Sequence, residues 1–392
     1  MRQLGIYLHI PFCAKKCNYC DFLSAPAGKD VQQAYVDRLV QEIQQKPAGK
    51  KECCVTSIFF GGGTPSLLAP NQIGAILAAV QQQFCISPDV EISLEINPGT
   101  LGNCQGEDPC YKLEAYCQMG INRLSIGLQS FCDKELELLG RIHRVQDFLK
   151  LYDAARQVGF NNINKDLMSG LPGQTRRGFA HTLQQAVDLQ PEHISVYSLI
   201  IEPGTPFYQL YSQDVERRDR GETPLYLPTE EIERAMIADT VDMLTAAGYI
   251  QYEISNFAKP GHICRHNNNC WLRTEYLGYG IGAASLYNET RFSNHTDLKA
   301  YLNGQFAPAT IQPLDIKDQM EETMFLGLRR IQGVSKQAFF NKFGISVNQV
   351  YKDVISRFVQ QGLLYQNNDF VALTKKGLDI SNYVMADFLL DT

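Results

Sequence analysis

The sequence predicts an α/β protein with a mainly parallel sheet, followed by a small, mainly helical domain at the C-terminus. Three observations lead there. Six short β-rich runs alternate with stretches that carry apolar residues three or four apart, the period of a helix. Such alternation calls for a parallel sheet with right-handed crossovers. It fades after about residue 200, where turn residues and then a longer helical pattern take over. With 392 residues and about 150 per domain, the chain has room for roughly two to three domains, or one large barrel with an appendage.

The candidate strands cover residues 5–10, 57–60, 91–96, 123–126, 162–167 and 193–199. Tyr35, Leu39 and Ile43 mark one intervening helix face, and Ile73, Ile76, Leu77 and Val80 mark the next. A further helix is expected over 175–189, with Leu183, Ala186 and Val187 on one face. Six units fit an incomplete barrel as well as an open sheet, and periodicity does not separate the two. Glu202-Pro203-Gly204-Thr205-Pro206 is a turn-rich break, and 214–222 reads as a charged connector. A long helix is expected over 230–247. Residues 248–294 are rich in Gly, Asn and aromatics, which predicts a loop-dominated ligand region. From 318 onward a small helical domain ends in a hairpin, with strands at 362–365 and 370–373 around Asn367-Asn368-Asp369. No internal repeat or low-complexity tract is present.

The 36 basic and 42 acidic residues leave a net charge of −6, which disfavours a general nucleic-acid binder. No apolar run approaches the roughly 18 to 20 residues of a membrane helix. The first residues lack the apolar stretch of a signal peptide, so the expected location is cytoplasmic. Twelve cysteines are then more readily thiols or metal ligands than disulfides. Nine are scattered, at 53, 54, 85, 104, 110, 117, 132, 264 and 270, and most of these read as small apolar fillers.

Cys13, Cys17 and Cys20 are different. They form C-x3-C-x2-C directly after the first strand. A [4Fe–4S] cluster takes four thiolates, so three in one loop hold three irons and leave the fourth open to chelate a small molecule. Lys15 and Lys16 offset the negative charge of such a site. The competing zinc knuckle needs a second paired element, and none is evident. Gly61-Gly62-Gly63 after the second strand is a tight turn or a loop whose backbone approaches a polar ligand closely. Glu95, at the end of the third strand, is a ligand for a ribose or an amine, or a solvated strand-end carboxylate.

With Tyr19 before the third cysteine, the motif resembles the radical S-adenosylmethionine (SAM) superfamily. The opening Gly5-Ile6-Tyr7-Leu8-His9-Ile10-Pro11-Phe12-Cys13 is similar to the subgroup that contains anaerobic coproporphyrinogen III oxidases and the HemW-type haem chaperones. The likeness continues through Gly61-Gly62-Gly63-Thr64-Pro65-Ser66, Glu95-Ile96-Asn97-Pro98, residues 123–131, Gly140-Arg141-Ile142-His143, residues 166–175 and Tyr252-Glu253-Ile254-Ser255-Asn256-Phe257. It covers nearly the whole chain. The resemblance implies an incomplete (β/α)6 TIM-like barrel over 1–225, an extension over 226–315 and a winged-helix-like domain over 316–392. It implies a [4Fe–4S] cluster on Cys13, Cys17 and Cys20, with SAM on the open iron. It carries SAM contacts onto Tyr7, Tyr19, Gly62, Gly63, Thr64, Glu95, Gln129, Arg141 and Asp166, the arginine being suited to a bidentate carboxylate pair. In that superfamily the cluster and SAM supply radical chemistry.

Two functions compete within the subgroup. The oxidases carry a further cysteine where this chain has Phe22, and an N-terminal extension where the first strand here begins by residue 5. They lack the His-Asn-x-x-Tyr-Trp element of the haem chaperones, which His266-Asn267-Asn268-Asn269-Cys270-Trp271 resembles. The expected function is therefore binding haem as cargo and delivering it to an acceptor protein, with His266 as the haem-ligand candidate. Cys264 and Cys270 are thiolate alternatives, and Trp271 a stacking surface. Oxygen-independent coproporphyrinogen III oxidation is the alternative, and a scaffold with a purely structural cluster ranks last. SAM turnover is left open, and homodimerisation is a family-level expectation. Lys165, Ser169, Cys270 and Leu286 depart from the family pattern near functional elements, which implies altered ligand handling.

Overall fold

The computed structural model describes residues 1–46, 52–101 and 109–390, and its organising element is one twelve-stranded sheet. Six strands carry the centre: β1 (Arg2–Ile10), β2 (Cys53–Gly62), β3 (Cys85–Ile96), β4 (Arg123–Gln129), β5 (Ile163–Ser169) and β6 (His193–Ser198). They lie side by side in chain order and are all parallel. Beyond β6 come the antiparallel β7 (Ile250–Gln251) and β8 (Asn256–Ala258), in the order β6-β8-β7. On the other side β9 (Tyr276–Tyr279) joins β1 in parallel, and β10 (Ala284–Tyr287), β11 (Thr290–Asn294) and β12 (Pro308–Pro313) follow antiparallel. Among the described residues β1 pairs with β2 and β9 and not with β6, so the six-strand unit is open. A flat sheet would put β1 and β6 about 24 Å apart. Tyr7 of β1 and Tyr197 of β6 nevertheless line one cavity. The sheet therefore curls, as the incomplete barrel requires.

Side-chain alternation divides the strands between two environments. Ile6, Leu8, Ile58, Phe60, Ile92, Leu94, Leu124, Ile126, Leu167 and Ile194 face outward and are buried. They form one apolar cluster with Tyr35, Leu39 and Ile43 of the helix Lys29–Gln45, Ile73, Ile76 and Val80 of Pro70–Gln83, Phe148 and Leu151 of Val145–Val158, and Phe179, Leu183 and Ala186 of Arg176–Asp188. Most inward positions are polar instead: Ser57, Ser93, Glu95, Arg123, Ser125, Asn164, Asp166, His193 and Ser195, with Tyr7, Phe59, Met168 and Tyr197 among them at the cavity. A complete TIM barrel packs branched aliphatic layers there.

Several sequence expectations change. The connector at 214–222 is mostly the end of a helix, Pro206–Asp219. Thr205 caps it by accepting from the Tyr208 N–H, Pro206 starts it, and Asp214 accepts the N–H groups of Leu225, Tyr226 and Leu227 at 2.8, 2.6 and 2.9 Å. The region 248–294 is not loop-dominated: it supplies β7 to β11 and a helix, Arg265–Trp271. Gly and Asn mark its tight turns rather than long loops. The C-terminal part builds its own apolar cluster from the helices Ile316–Gly327, Lys336–Phe343 and Lys352–Gln360 and the strands β13 (Val334–Ser335), β14 (Leu364–Gln366) and β15 (Phe370–Leu373). Its order is helix, strand, three further helices (the second of them the single turn Val347–Val350) and hairpin, so the domain is mainly helical. The hairpin does not end it, because two short helices follow and bury Val384, Met385 and Phe388 in the same cluster.

The filler reading of the scattered cysteines holds for Cys53 and Cys264, which are buried. Cys54, Cys110, Cys132 and Cys270 are half-buried, while Cys85 and Cys117 are exposed. Cys104 lies outside the described residues. No helix among the described residues is long and apolar enough to cross a membrane.

Candidate functional site

The C-terminal ends of β1 to β6 surround a cavity of about 530 Å³. Cys13, Cys17 and Cys20 stand on its rim, half-buried. Their loop is tied down on both sides. The Cys13 N–H donates to the Ala25 carbonyl at 3.2 Å, and the Asn18 side chain donates to the Leu138 carbonyl at 2.9 Å. The Thr64 hydroxyl donates to Cys13 Sγ at 3.6 Å, and Arg141 Nη1 donates to Cys17 Sγ at 3.5 Å. Burial pushes the Cys20 thiol up. Among the described residues no three His, Cys, Asp or Glu side chains converge to hold a single metal ion.

The glycine turn packs directly on this loop. A Cβ on Gly63 would stand 2.6 Å from the Phe12 carbonyl oxygen. Gly62 has φ +111°, and a Cβ there would meet the His9 ring at 2.5 Å. The N–H groups of Gly62, Gly63 and Thr64 donate to Glu95 Oε2, Ile10 O and Phe12 O at 3.1, 2.8 and 2.7 Å. The three amides of the turn are thus spent inside the protein.

Glu95 and Asp166 face each other across the cavity, deep in the molecule but with part of their surface open to it. Burial and the neighbouring Asp166 charge push the Glu95 carboxyl up to about 8, against the Gly62 N–H and Arg123. Burial also raises Asp166, opposed by the Asn164 and Ser195 hydrogen bonds and by Arg123. Arg141 is fixed by its Nη2 donating to the Gly127 carbonyl at 2.6 Å, while its buried Nε has no partner. Gln129 ends β4 with φ +73°, a left-handed conformation for a non-glycine residue, and such strain concentrates at functional sites. On β1, His9 Nε2 donates to the Leu23 carbonyl at 3.0 Å, so its Nδ1 accepts from the Tyr7 hydroxyl at 3.1 Å. Tyr19 packs on Phe207 and is raised chiefly by burial.

His266 is no loop histidine. It is 7% exposed, in the first turn of the helix Arg265–Trp271, with its ring stacked 5.0 Å from Phe59 and 6.2 Å from Tyr7. Its Nδ1 meets the Ser57 hydroxyl at 3.3 Å. Glu91 anchors the helix by accepting the Arg265 and His266 N–H groups at 2.9 and 3.0 Å. Burial, and then Arg123, lower His266 to about 4, so its imidazole is neutral. Asn267, Cys270 and Trp271 line the same cavity, and the Arg329 guanidinium lies 4.4 Å over the Trp271 ring.

All thirteen predicted site residues line this one cavity. Three of the four family departures do not. Lys165 points outward, fully buried among the helices, with Nζ 4.2 Å from the Tyr152 ring centre and 5.5 Å from Phe148. Ser169 bonds Ser198 at 3.3 Å, and Leu286 is buried on β10. Of the four, only Cys270 reaches the site, joined there by Phe22. Sequence reasoning missed Arg123, Asn164 and His193. Asn164 donates to Asp166 and Ser125, each at 2.8 Å, and its carbonyl meets His193 Nδ1 at 2.6 Å. His193 Nε2 continues to the Tyr252 hydroxyl at 2.9 Å. The period-two pattern of β4, β5 and β6 was the signal that could have placed them.

The chain matches the Radical SAM superfamily over residues 7–186 and the HemN C-terminal domain over residues 314–380. Fold and site thus define a radical-SAM-type protein with a HemN-type C-terminal domain. It is 36% identical over 388 residues to "Heme chaperone HemW" of Bacillus subtilis (strain 168), covering 98% of both chains. It is 32% identical over 394 residues to the protein of that name in Escherichia coli (strain K12), covering 99% of this chain and 98% of the other. A solved structure of coproporphyrinogen III oxidase (HemN) from Escherichia coli superimposes with a TM-score of 0.82 at 25% identity, covering 99% of this chain and 90% of that one. The chain belongs to the HemW family of haem chaperones within the radical SAM superfamily.

Proposed function

We propose that this protein binds haem and passes it to an acceptor protein, and that Cys13, Cys17 and Cys20 hold a [4Fe–4S] cluster whose open iron faces bound SAM. One observation carries this reading: a single cavity is lined by three thiols and Arg141 together with His266, Cys270 and Trp271. The donor set fits the groups. Three thiols leave one iron without a protein ligand. The orphaned Arg141 Nε and its guanidinium offer a carboxylate charge-assisted hydrogen bonds. Glu95 and Asp166 accept hydrogen bonds from an amine or from ribose hydroxyls, and a cation beside Glu95 would draw off the proton it holds near neutral pH. When bound, the cluster and SAM supply one-electron chemistry; the protein orients them and excludes water. The neutral His266 imidazole is competent to ligate haem iron.

The oxidase reading draws on the structural likeness to HemN, and Phe22 weighs against it. The deciding experiment reconstitutes the cluster anaerobically, adds SAM, a reductant and coproporphyrinogen III, and follows porphyrin masses with 5′-deoxyadenosine as internal control. The expected result is no decarboxylation, together with haem binding whose spectrum changes in His266→Ala. Loss of two carboxyl groups at catalytic turnover would make the protein an oxidase. An unchanged haem spectrum in His266→Ala removes His266 as ligand, and unchanged haem affinity in Trp271→Ala removes the stacking role.

A further inference from the structure

A second pair of thiols meets at the opposite end of the sheet. Cys54 and Cys85 are directly paired residues at the starts of the parallel strands β2 and β3. Eight residues of β2 separate Cys54 from Gly62 at the cavity, about 26 Å of extended chain. Side chains at paired positions emerge on the same face, and the two thiols are close enough to act on one another electrostatically, with Ser87 beside Cys54. Adjacent strands lie about 4.8 Å apart, inside the range of about 4.4 to 6.8 Å between the Cα atoms of a disulfide. Cys85 is exposed and Cys54 half-buried. Cys53 points to the other face, into the apolar core, and does not compete.

We propose that Cys54 and Cys85 form a reversible dithiol–disulfide couple, a modification site for oxidised low-molecular-weight thiols that is separate from the cluster ligands. The exposed Cys85 thiolate attacks the disulfide of oxidised glutathione, and one glutathione leaves as its thiolate. The Cys54 thiolate then attacks the Cys85 sulfur of the mixed disulfide and expels the second glutathione. The two thiol protons end on the two released glutathiones, and the two electrons reduce the glutathione disulfide. Directly paired parallel positions hold their Cβ atoms near the strand spacing, wider than the roughly 3.8 Å a relaxed disulfide prefers. The resulting strain makes the bridge easily reduced, the property of a labile rather than a structural disulfide.

The test uses the full-length protein with its cluster reconstituted, held anaerobically in glutathione buffers of stepped oxidised-to-reduced ratio. Free thiols are then blocked and the peptides mapped by mass. The expected result is a Cys54–Cys85 cross-link and two fewer free thiols per chain, reversed by dithiothreitol, with iron content unchanged. Cys54→Ser should trap one glutathione on Cys85, and Cys85→Ser should leave Cys54 free. Cys53→Ser should cross-link like the wild type. The proposal is overturned if no Cys54–Cys85 peptide appears at any ratio, if Cys53 replaces Cys54 in it, or if wild-type Cys85 stops at the glutathione adduct.

Discussion

Replacing Lys165 by methionine should make the protein more stable, although it removes a charged residue beside a site residue. Lys165 is fully buried in the outer layer, between β5 and the helices Val145–Val158 and Arg176–Asp188, and its Nζ reaches only the Ala186 carbonyl at 3.4 Å. Burial first, then Arg156 and Lys259, lower its amine from 10.5 to about 6, with Glu192 acting the other way. At pH 7 the unfolded chain carries this proton and the folded chain does not. Holding the amine neutral over the interval from pH 7 to 10.5 costs about 5 kcal/mol at most, at about 1.4 kcal/mol for each pH step. The lysine stem and neutral amine still pack on the Tyr152 and Phe148 rings, so a gain of about 2–4 kcal/mol is expected for Lys165→Met, which keeps the volume. The sign has a signature. Between about pH 6 and 10.5 the unfolded state binds the extra proton, so wild-type stability rises with pH, and below about 6 the penalty is full and constant. Urea unfolding of both proteins followed by circular dichroism from pH 6 to 9 reads this directly. The reasoning fails if Lys165→Met is no more stable than wild type at pH 7, or if both proteins keep the same slope with pH.

Gly63→Ala sets a methyl against the Phe12 carbonyl at 2.6 Å and should cost about 1–3 kcal/mol while displacing the cysteine loop; iron bound after reconstitution should fall by more than half, and full iron loading would refute the packing argument. Arg141→Lys cannot span Cys17 Sγ and the Gly127 carbonyl at once, and SAM affinity by equilibrium dialysis should weaken about 10- to 100-fold, for a loss of about 1.5–3 kcal/mol. His266 is lowered from 6.5 to about 4 by burial, so the unfolded chain takes up its proton first as pH falls through that window. Its share of stability, present above pH 6.5, is lost by pH 4, up to about 3 kcal/mol, and His266→Gln should flatten the slope of the urea midpoint there.

The parts of the site that the sequence discloses are those written locally. The three cysteines sit within eight residues, and Glu95 and Asp166 end runs that already read as strands. Lys165 was open to the same reasoning, since neighbours on a strand point to opposite faces and Asp166 takes the inner one. Arg123, Asn164 and His193 come together only when three strands are set in register, Asn164 opposite both Ser125 and His193. His266 reads as a loop residue because what orders its helix is remote: Glu91, 175 residues away, accepts its N–H. The helix ending at Asp219 was hidden likewise, because the Asp214 charge that marks a connector instead ties the chain at 225–227.

The polar concave side of the sheet separates two jobs that a filled barrel combines. Cohesion resides on the convex side, where aliphatic strand residues meet the helices. The concave side contributes little apolar packing, so an exchange there alters what the protein can grip without loosening what holds it together. Cys270, which lines the cavity at a position where the motif resemblance implies a tyrosine, is a change of that kind. A scaffold arranged this way has room to exchange ligand-facing residues one at a time, and related chains can diverge in cargo while retaining one architecture.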